Sequence, residues 1–274
     1  MEKNPLTEEL YNDLSLQLLL APGRHSIATA VPKLNQYDMQ VTDHEYGFEA
    51  DGSVGTWNER ITDLTWLRDR YKDFNPAIRT ILGEATTCWK WRLAESATLP
   101  SWTSENGRVV LLGDSCHAMV PFAGQGAAQC IEDAAVLSEL LSRTSSVEDI
   151  PRLTKKYEEL RQPRVERVRA YARANGVNYT LPDGAQQKKR DAILKTSAHQ
   201  VRQKGGEVPF GDMEFAKWLD NYDAIKDVCF FFPLPTTPMT FSSTPDGCRN
   251  GLSYATALHR GDPERGILKD ASAI

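Results

Sequence analysis

The chain has 274 residues, 41% of them hydrophobic, which is enough to bury a core in one large domain or two small ones. Its 32 basic and 37 acidic side chains leave a net charge of -5, which argues against a nucleic-acid partner, because phosphate-binding surfaces carry a clear basic excess. The five cysteines (Cys88, Cys116, Cys130, Cys229 and Cys248) are odd in number and form no C-x-x-C pair, so neither a disulfide framework nor a zinc ribbon is indicated, and a reducing, cytoplasmic setting is expected.

Leu6, Leu10 and Leu14 fall at helical spacing, and Pro22-Gly23 breaks the pattern. The run LSLQLLLA is too short to span a bilayer, and Glu8, Glu9 and Asp13 precede it where a signal peptide carries positive charge, so a soluble chain without a membrane partner is expected. HSIATAV, in which His25, Ile27, Thr29 and Val31 alternate with small residues, and YDMQV predict a hairpin over positions 25 to 42 connected through Leu34 to Gln36. From Trp57 onward the pattern changes. Leu64, Leu67, Tyr71 and Phe74 predict one helix, and Asn75-Pro76 ends it and opens another through Ile78 and Leu82.

TCWKWRL has the alternation and aromatic content of a strand, and the loop SATLPSWTSENG follows it. Arg108 to Leu112 is a short β-branched run that predicts a strand buried on both faces. Ile131, Ala134, Ala135, Leu137, Leu140 and Leu141 form a helical stripe, and a long charged helix is predicted from Pro151 to Asn175 with Gly176 as its stop. Its basic run, Arg161, Arg164, Arg167, Arg169 and Arg173, is interleaved with Glu158, Glu159 and Glu166, the pattern of a solvated face with ion pairs. Two further helices are predicted near 185 to 203 and 212 to 228. Beyond Phe232 the proline, serine and threonine content predicts a tail, with Phe230 to Phe232 as its anchor or as a partner site.

The densest signal is RVVLLGDSCHAMVPFAGQGAAQCIEDAAVLSELL, positions 108 to 141. A strand, an acid, a loop and a glycine-punctuated helix start make a layout for holding a polar ligand. Gly124 and Gly126 remove bulk beside backbone N–H groups, and a helix N-terminus favours negative charge by roughly 0.3 to 1 kcal/mol when exposed. Asp114 is placed to accept hydrogen bonds from a sugar-alcohol hydroxyl, and Pro121 stiffens the loop between them.

This segment resembles the second flavin-binding motif of the FAD-dependent aromatic hydroxylases, the salicylate-hydroxylase-like monooxygenases, whose pattern is G-D-x-x-H-x-x-x-P-x-x-G-Q-G-x-x-x-x-I-E-D-A. Gly113, Asp114, His117, Pro121, Gly124, Gln125, Gly126, Ile131, Glu132, Asp133 and Ala134 fall in register. TCWKWRL with LPSW, YEELRQPRVERVRAYARANG and WLDNYDAIKDV are similar to further family segments, which extends the resemblance over roughly residues 20 to 228. The resemblance implies a mixed α/β fold: a partial flavin-monooxygenase architecture with an incomplete substrate-domain sheet, a flavin-facing strand-helix unit, C-terminal helices and a disordered tail. It also implies an organisation of a partial substrate-binding domain over 1–107, the C-terminal part of an FAD-binding domain over 108–228 and a flexible tail over 229–274. FAD is the implied cofactor, contacted by Gly113, Asp114, Pro121, Gly124, Gln125, Gly126 and Ala127. Asp114 would take the ribityl chain and the helix start the N1 and O2 side of the ring. Phe122 and Trp91 would line the substrate. The implied reaction is hydroxylation or epoxidation of an aromatic or related small molecule with NAD(P)H and O2, in a homodimer or with a complementing chain; no residue stands out as an acid or base.

The family also begins with a strand, a G-x-G-x-x-G turn and an acid on the adenosine ribose. That fingerprint is absent here, and the family's middle D-G motif has no counterpart, since Asp51-Gly52 and Asp183-Gly184 stand in other contexts. A truncated family member, a short paralogue with a non-redox role such as isomerisation or cyclisation, and a non-catalytic interaction remnant all remain open. Gly113-Asp114-Ser115 also matches an esterase nucleophile block, but its only D-x-x-H is Asp114 to His117 itself, and a structural role suits His117 better than a metal site.

Overall fold

A computed structural model describes residues 4–44, 58–204 and 213–231. The proposed tail beyond Phe231, Cys248 and Asp51-Gly52 lie outside the described residues.

The first part of the fold is an antiparallel sheet in the order β1 (Gln17–Ala21), β2 (Arg24–Val31) and β3 (Gln36–Asp43). The N-terminal helix expected from the leucine spacing shrinks to α1 (Glu8–Asn12), and the leucines after it form β1 instead. The reason lies in Pro22-Gly23: Gly23 adopts φ 68°, which closes a tight hairpin and pairs Leu19 with Ser26 and Leu20 with His25. The second connection is a 3₁₀ turn over Pro32–Leu34 with Asn35 left-handed.

One face of this sheet carries Ser26, Ala28 and Ala30 of β2, all buried, rather than the larger alternating set. Register explains the choice. Leu19 and Val41 flank Ser26, Met39 is opposite Ala28, and Tyr37 is opposite Ala30, so small residues on the central strand leave room for large ones beside them. Those large residues pack on α2 (Thr65–Arg70) and α3 (Pro76–Glu84), where Leu64, Leu67, Tyr71, Ile78, Ile81 and Leu82 form an apolar cluster. Asn75 caps α3 by accepting from the Ile78 N–H at 3.0 Å, with Pro76 in the first turn.

β4 (Asn58–Ile61) and β5 (Cys88–Trp91) pair as a separate two-stranded ribbon. The segment Arg108 to Leu112 corrects the expectation of a buried strand: it makes a single bridge, Val110 to Thr103, and Val109 is 64% exposed. A strand of that kind is buried between paired neighbours, and among the described residues this one bridges only the Thr103 loop, with Tyr157 of the later long helix donating to the Leu111 carbonyl.

The one-turn α4 (Asp114–His117) leads into three long helices, α5 (Gly126–Leu141), α6 (Ile150–Tyr179) and α7 (Ala185–Lys204), and the described residues end with two short ones, α8 (Met213–Asp220) and α9 (Ala224–Phe231). Gly176 does not end α6. It lies inside the helix because a Cβ there would meet the Phe122 ring at 2.6 Å, so its role is close packing rather than termination. The single helix expected over 212 to 228 is two, because the Asp223 side chain accepts from the Lys226 N–H at 3.0 Å and starts a new helix. No helix among the described residues is long and apolar enough to cross a membrane.

Candidate functional site

The site is assembled from the end of the Val109–Leu112 segment, α4, a 3₁₀ turn over Pro121–Ala123 and the start of α5. Two glycines shape it. Gly113 has φ 63° and ψ −141°, and a side chain there would meet the Cys130 Sγ at 2.8 Å, so only glycine lets the chain turn against α5. Gly124 closes the 3₁₀ turn at φ 64°.

The start of α5 is open. Gln125 precedes it without offering a side-chain cap, and its Oε1 instead accepts from Gln129 Nε2 at 3.3 Å. The first N–H of the helix to find an intrahelical carbonyl is that of Gln129, so those of Gly126, Ala127 and Ala128 are left without one. A Cβ built on Gly124 or Gly126 meets no atom of the described residues within 4 Å, so there is open room beside both glycines.

Asp114 is exposed at the head of α4, and among the described residues no cation pairs with it. It faces the first turns of α5: burial, the Asp114 carboxylate and the Asp133 carboxylate push the Cys130 thiol up, in that order of weight. Pro121 is exposed, whereas Phe122 turns inward. Its ring packs edge-on against His25 and Tyr179 at 5.1 and 6.2 Å and lies against Gly176, while its carbonyl accepts from Asn175 Nδ2 and Tyr179 Oη, both at 3.0 Å. Trp91 lies on β5 and is 60% exposed. The structure thus sets a buried Gly113 and an exposed Asp114 against α5 near Cys130, places Pro121, Gly124, Gln125, Gly126 and Ala127 along the turn that leads into α5, turns Phe122 inward and leaves Trp91 on the ribbon.

Beneath Gly113 and Asp114 lies a polar network. His117 Nε2 and the Gly113 N–H both reach Asp133 Oδ2, at 2.6 and 3.0 Å, and Asp133 Oδ1 accepts from Arg161 Nε at 2.7 Å. Arg161 also donates to Glu132 at 2.5 Å and to Gln129 Oε1 at 2.7 Å, and Arg164 makes a fork to Glu132 at 2.7 and 2.8 Å. Burial opposes the Asp133 charge, but the hydrogen bonds from His117 and Arg161 and the Arg161 charge prevail and hold its carboxyl below the usual range. Arg161, Arg164 and Arg169 are therefore buried and not a solvated face. Alternating charge on α6 indicates ion pairs; it does not reveal that the acidic partners Glu132 and Asp133 come from α5. The Glu158 carboxylate is likewise occupied, accepting from the N–H groups of Trp102 and Thr103 and so fastening the preceding loop to α6.

The esterase alternative loses its geometry here. The Ser115 hydroxyl donates to the Leu112 carbonyl at 2.7 Å, while the His117 ring is buried on Asp133.

Residues 53–172 match a family model described as an FAD binding domain. The chain is 36% identical over 163 residues to the FAD-dependent monooxygenase OpS4 of Beauveria bassiana, covering 60% of this chain and 38% of that protein. It is 35% identical over 130 residues to the salicylate hydroxylase of Pseudomonas putida, covering 44% and 30%. A solved salicylate hydroxylase substrate complex superposes with a TM-score of 0.63 at 25% identity, over 84% of this chain and 52% of that one. In sequence and in fold the chain is similar to the FAD-dependent aromatic hydroxylases. It spans about a third to a half of the length of these relatives. The CtdE structure in complex with FAD and a substrate, at 16% identity and a TM-score of 0.61, shares the fold. The partial flavin-monooxygenase architecture expected from the motif is the one observed: small sheets, a turn-and-helix unit carrying the motif and trailing helices.

Proposed function

We propose that this chain seats the ribityl chain and ring of FAD at the start of α5 and serves a monooxygenase acting on an aromatic or related small molecule with NAD(P)H and O2. The observation that carries this reading is a helix start without a side-chain cap, with open room at Gly124 and Gly126, beside an exposed carboxylate that has no ion pair among the described residues. The residues present fit that end of the cofactor. Asp114 accepts hydrogen bonds from ribityl hydroxyls, and the N–H groups of Gly126 to Ala128 donate toward the electron-rich pyrimidine side of the ring. When bound, FAD supplies the electron transfer and the activation of oxygen.

The chain's own part is positional. Gly113 and Gly124 fix the two turns, Pro121 stiffens the rim, and the positive end of α5 favours negative charge at the ring. The ADP half of FAD and the pyridine nucleotide have no assigned residues in this chain. The substrate is an aromatic small molecule by kinship with the salicylate hydroxylase and OpS4 proteins.

Titration of FAD with the purified chain tests the reading. Saturable quenching of flavin fluorescence is expected, weakened about tenfold or more by Asp114→Asn, in line with about 1.5 to 3 kcal/mol for a hydrogen bond to a charged group. Unchanged fluorescence at high protein concentration sinks the flavin reading. Turnover of an aromatic substrate without flavin would replace it with the non-redox one.

A further inference from the structure

We infer that His117 and Asp133 are positioning residues: one buried carboxylate oxygen clamps both ends of α4 and so fixes where Asp114 stands. The inference rests on the flavin reading above for its purpose, and on the geometry of the network for its mechanism.

α4 is only four residues, Asp114 to His117, too short to hold its own shape, since the first helical turn is the costly one to form. Its internal bonds are those of Cys116 and His117, whose N–H groups both donate to the Gly113 carbonyl at 3.0 Å. The geometry of this turn is imposed from below. Asp133 Oδ2 receives the Gly113 N–H just before the turn and the His117 ring at its end, and the two residues exposed between these clamps are Asp114 and Ser115. Since the Asp133 carboxylate can only accept, His117 Nε2 carries the hydrogen, and Nδ1 faces the buried side without a partner. The other carboxylate oxygen is held by Arg161, so the clamp is referred to α6, a helix of 30 residues.

Neither His117 nor Asp133 has exposed surface, so neither touches a bound molecule directly. A purely stabilising role is also a poor account of them. Buried ion pairs are weak sources of stability compared with apolar packing of the same volume, and what such a network supplies is one fixed geometry. Here that geometry belongs to the backbone that presents Asp114.

The test uses the full 274-residue chain and three variants: His117→Leu, which removes the clamp; His117→Gln, which can return an N–H to the position of Nε2; and Asp133→Asn, nearly the same shape. Without any ligand, amide hydrogen exchange at Cys116 and His117 is expected to accelerate about tenfold or more in His117→Leu and Asp133→Asn. It should recover in His117→Gln, while the amides of mid-α6 stay protected. With FAD added, His117→Leu is expected to weaken binding about tenfold, and the double variant Asp114→Asn with His117→Leu to bind no more weakly than Asp114→Asn alone, because both remove the same contact. Unchanged exchange at Cys116 and His117 overturns the inference. Additive losses of affinity in the double variant also overturn it, as does collapse of the whole fold in all three variants. A parent chain that binds no FAD sinks the flavin reading, and the exchange experiment still decides the clamp.

Discussion

Under the three-stranded sheet, Leu64, Leu67, Tyr71, Ile78, Ile81 and Leu82 form an interior without a charged member. Under the Gly113–His117 turn, the interior is Asp133, His117, Gln129 and Arg161, all fully buried. Apolar packing of the first kind tolerates change provided volume and pattern are kept. Hydrogen-bonded groups of the second kind tolerate only changes that return a donor or acceptor to the same place, because a stranded charge there cannot reach water. The difference teaches where this fold holds its precision: beneath the loop that presents Asp114, and not in the larger core.

The comparison breaks most sharply at Arg161. Arg161→Met leaves the buried Asp133 carboxylate without its arginine partner, while Glu132 keeps Arg164, and a loss of about 3 to 5 kcal/mol in urea unfolding is expected, with flavin affinity lost together with stability. Ile78→Ala, at a fully buried site in the apolar cluster, should cost about 3 kcal/mol by the same measurement yet leave FAD affinity of the folded chain unchanged. Equal effects of the two variants on affinity would erase the distinction. Gly176→Ala tests the seam between α6 and Phe122. The added methyl meets the ring at 2.6 Å, so about 1 to 3 kcal/mol is expected from overpacking, relieved by Phe122→Leu.

The smallest expected effect is on pH dependence. Burial first, then the neighbouring His44, pulls the His25 pKa down to about 4. The folded chain therefore resists a proton that the unfolded chain accepts near pH 6.5, so stability is present at neutral pH and declines as pH falls from about 6.5 toward 4. Between pH 6 and pH 5 the loss is about 1 kcal/mol, and His25→Phe should flatten that slope in a series of thermal melts. A slope unchanged by the substitution would place the titration elsewhere.

The same contrast governs what the sequence made legible. The apolar helices at Leu64 to Leu82 announce themselves by period, and Asn75-Pro76 marks their junction, because packing and capping are local signals. The glycines, proline and acid of the Gly113 to Ala127 segment are legible because a backbone turn needs those residue types at fixed spacing. The clamp is not, since nothing local links His117 to Asp133 or Arg161 to either. Arg108 to Leu112 misleads for a related reason: its β-branched composition is that of a central strand, and composition says nothing about which neighbours stand beside it. Gly176 misleads because a glycine needed for close approach and one needed for a left-handed stop look alike in a sequence.

The most direct measurement for the central claim is amide hydrogen exchange across the whole chain with and without saturating FAD. Added protection concentrated over residues 113 to 128, with the Leu64 to Leu82 region unaffected, is the expected result. Protection elsewhere, or none at the start of α5, would contradict the assignment of that helix start as the flavin seat.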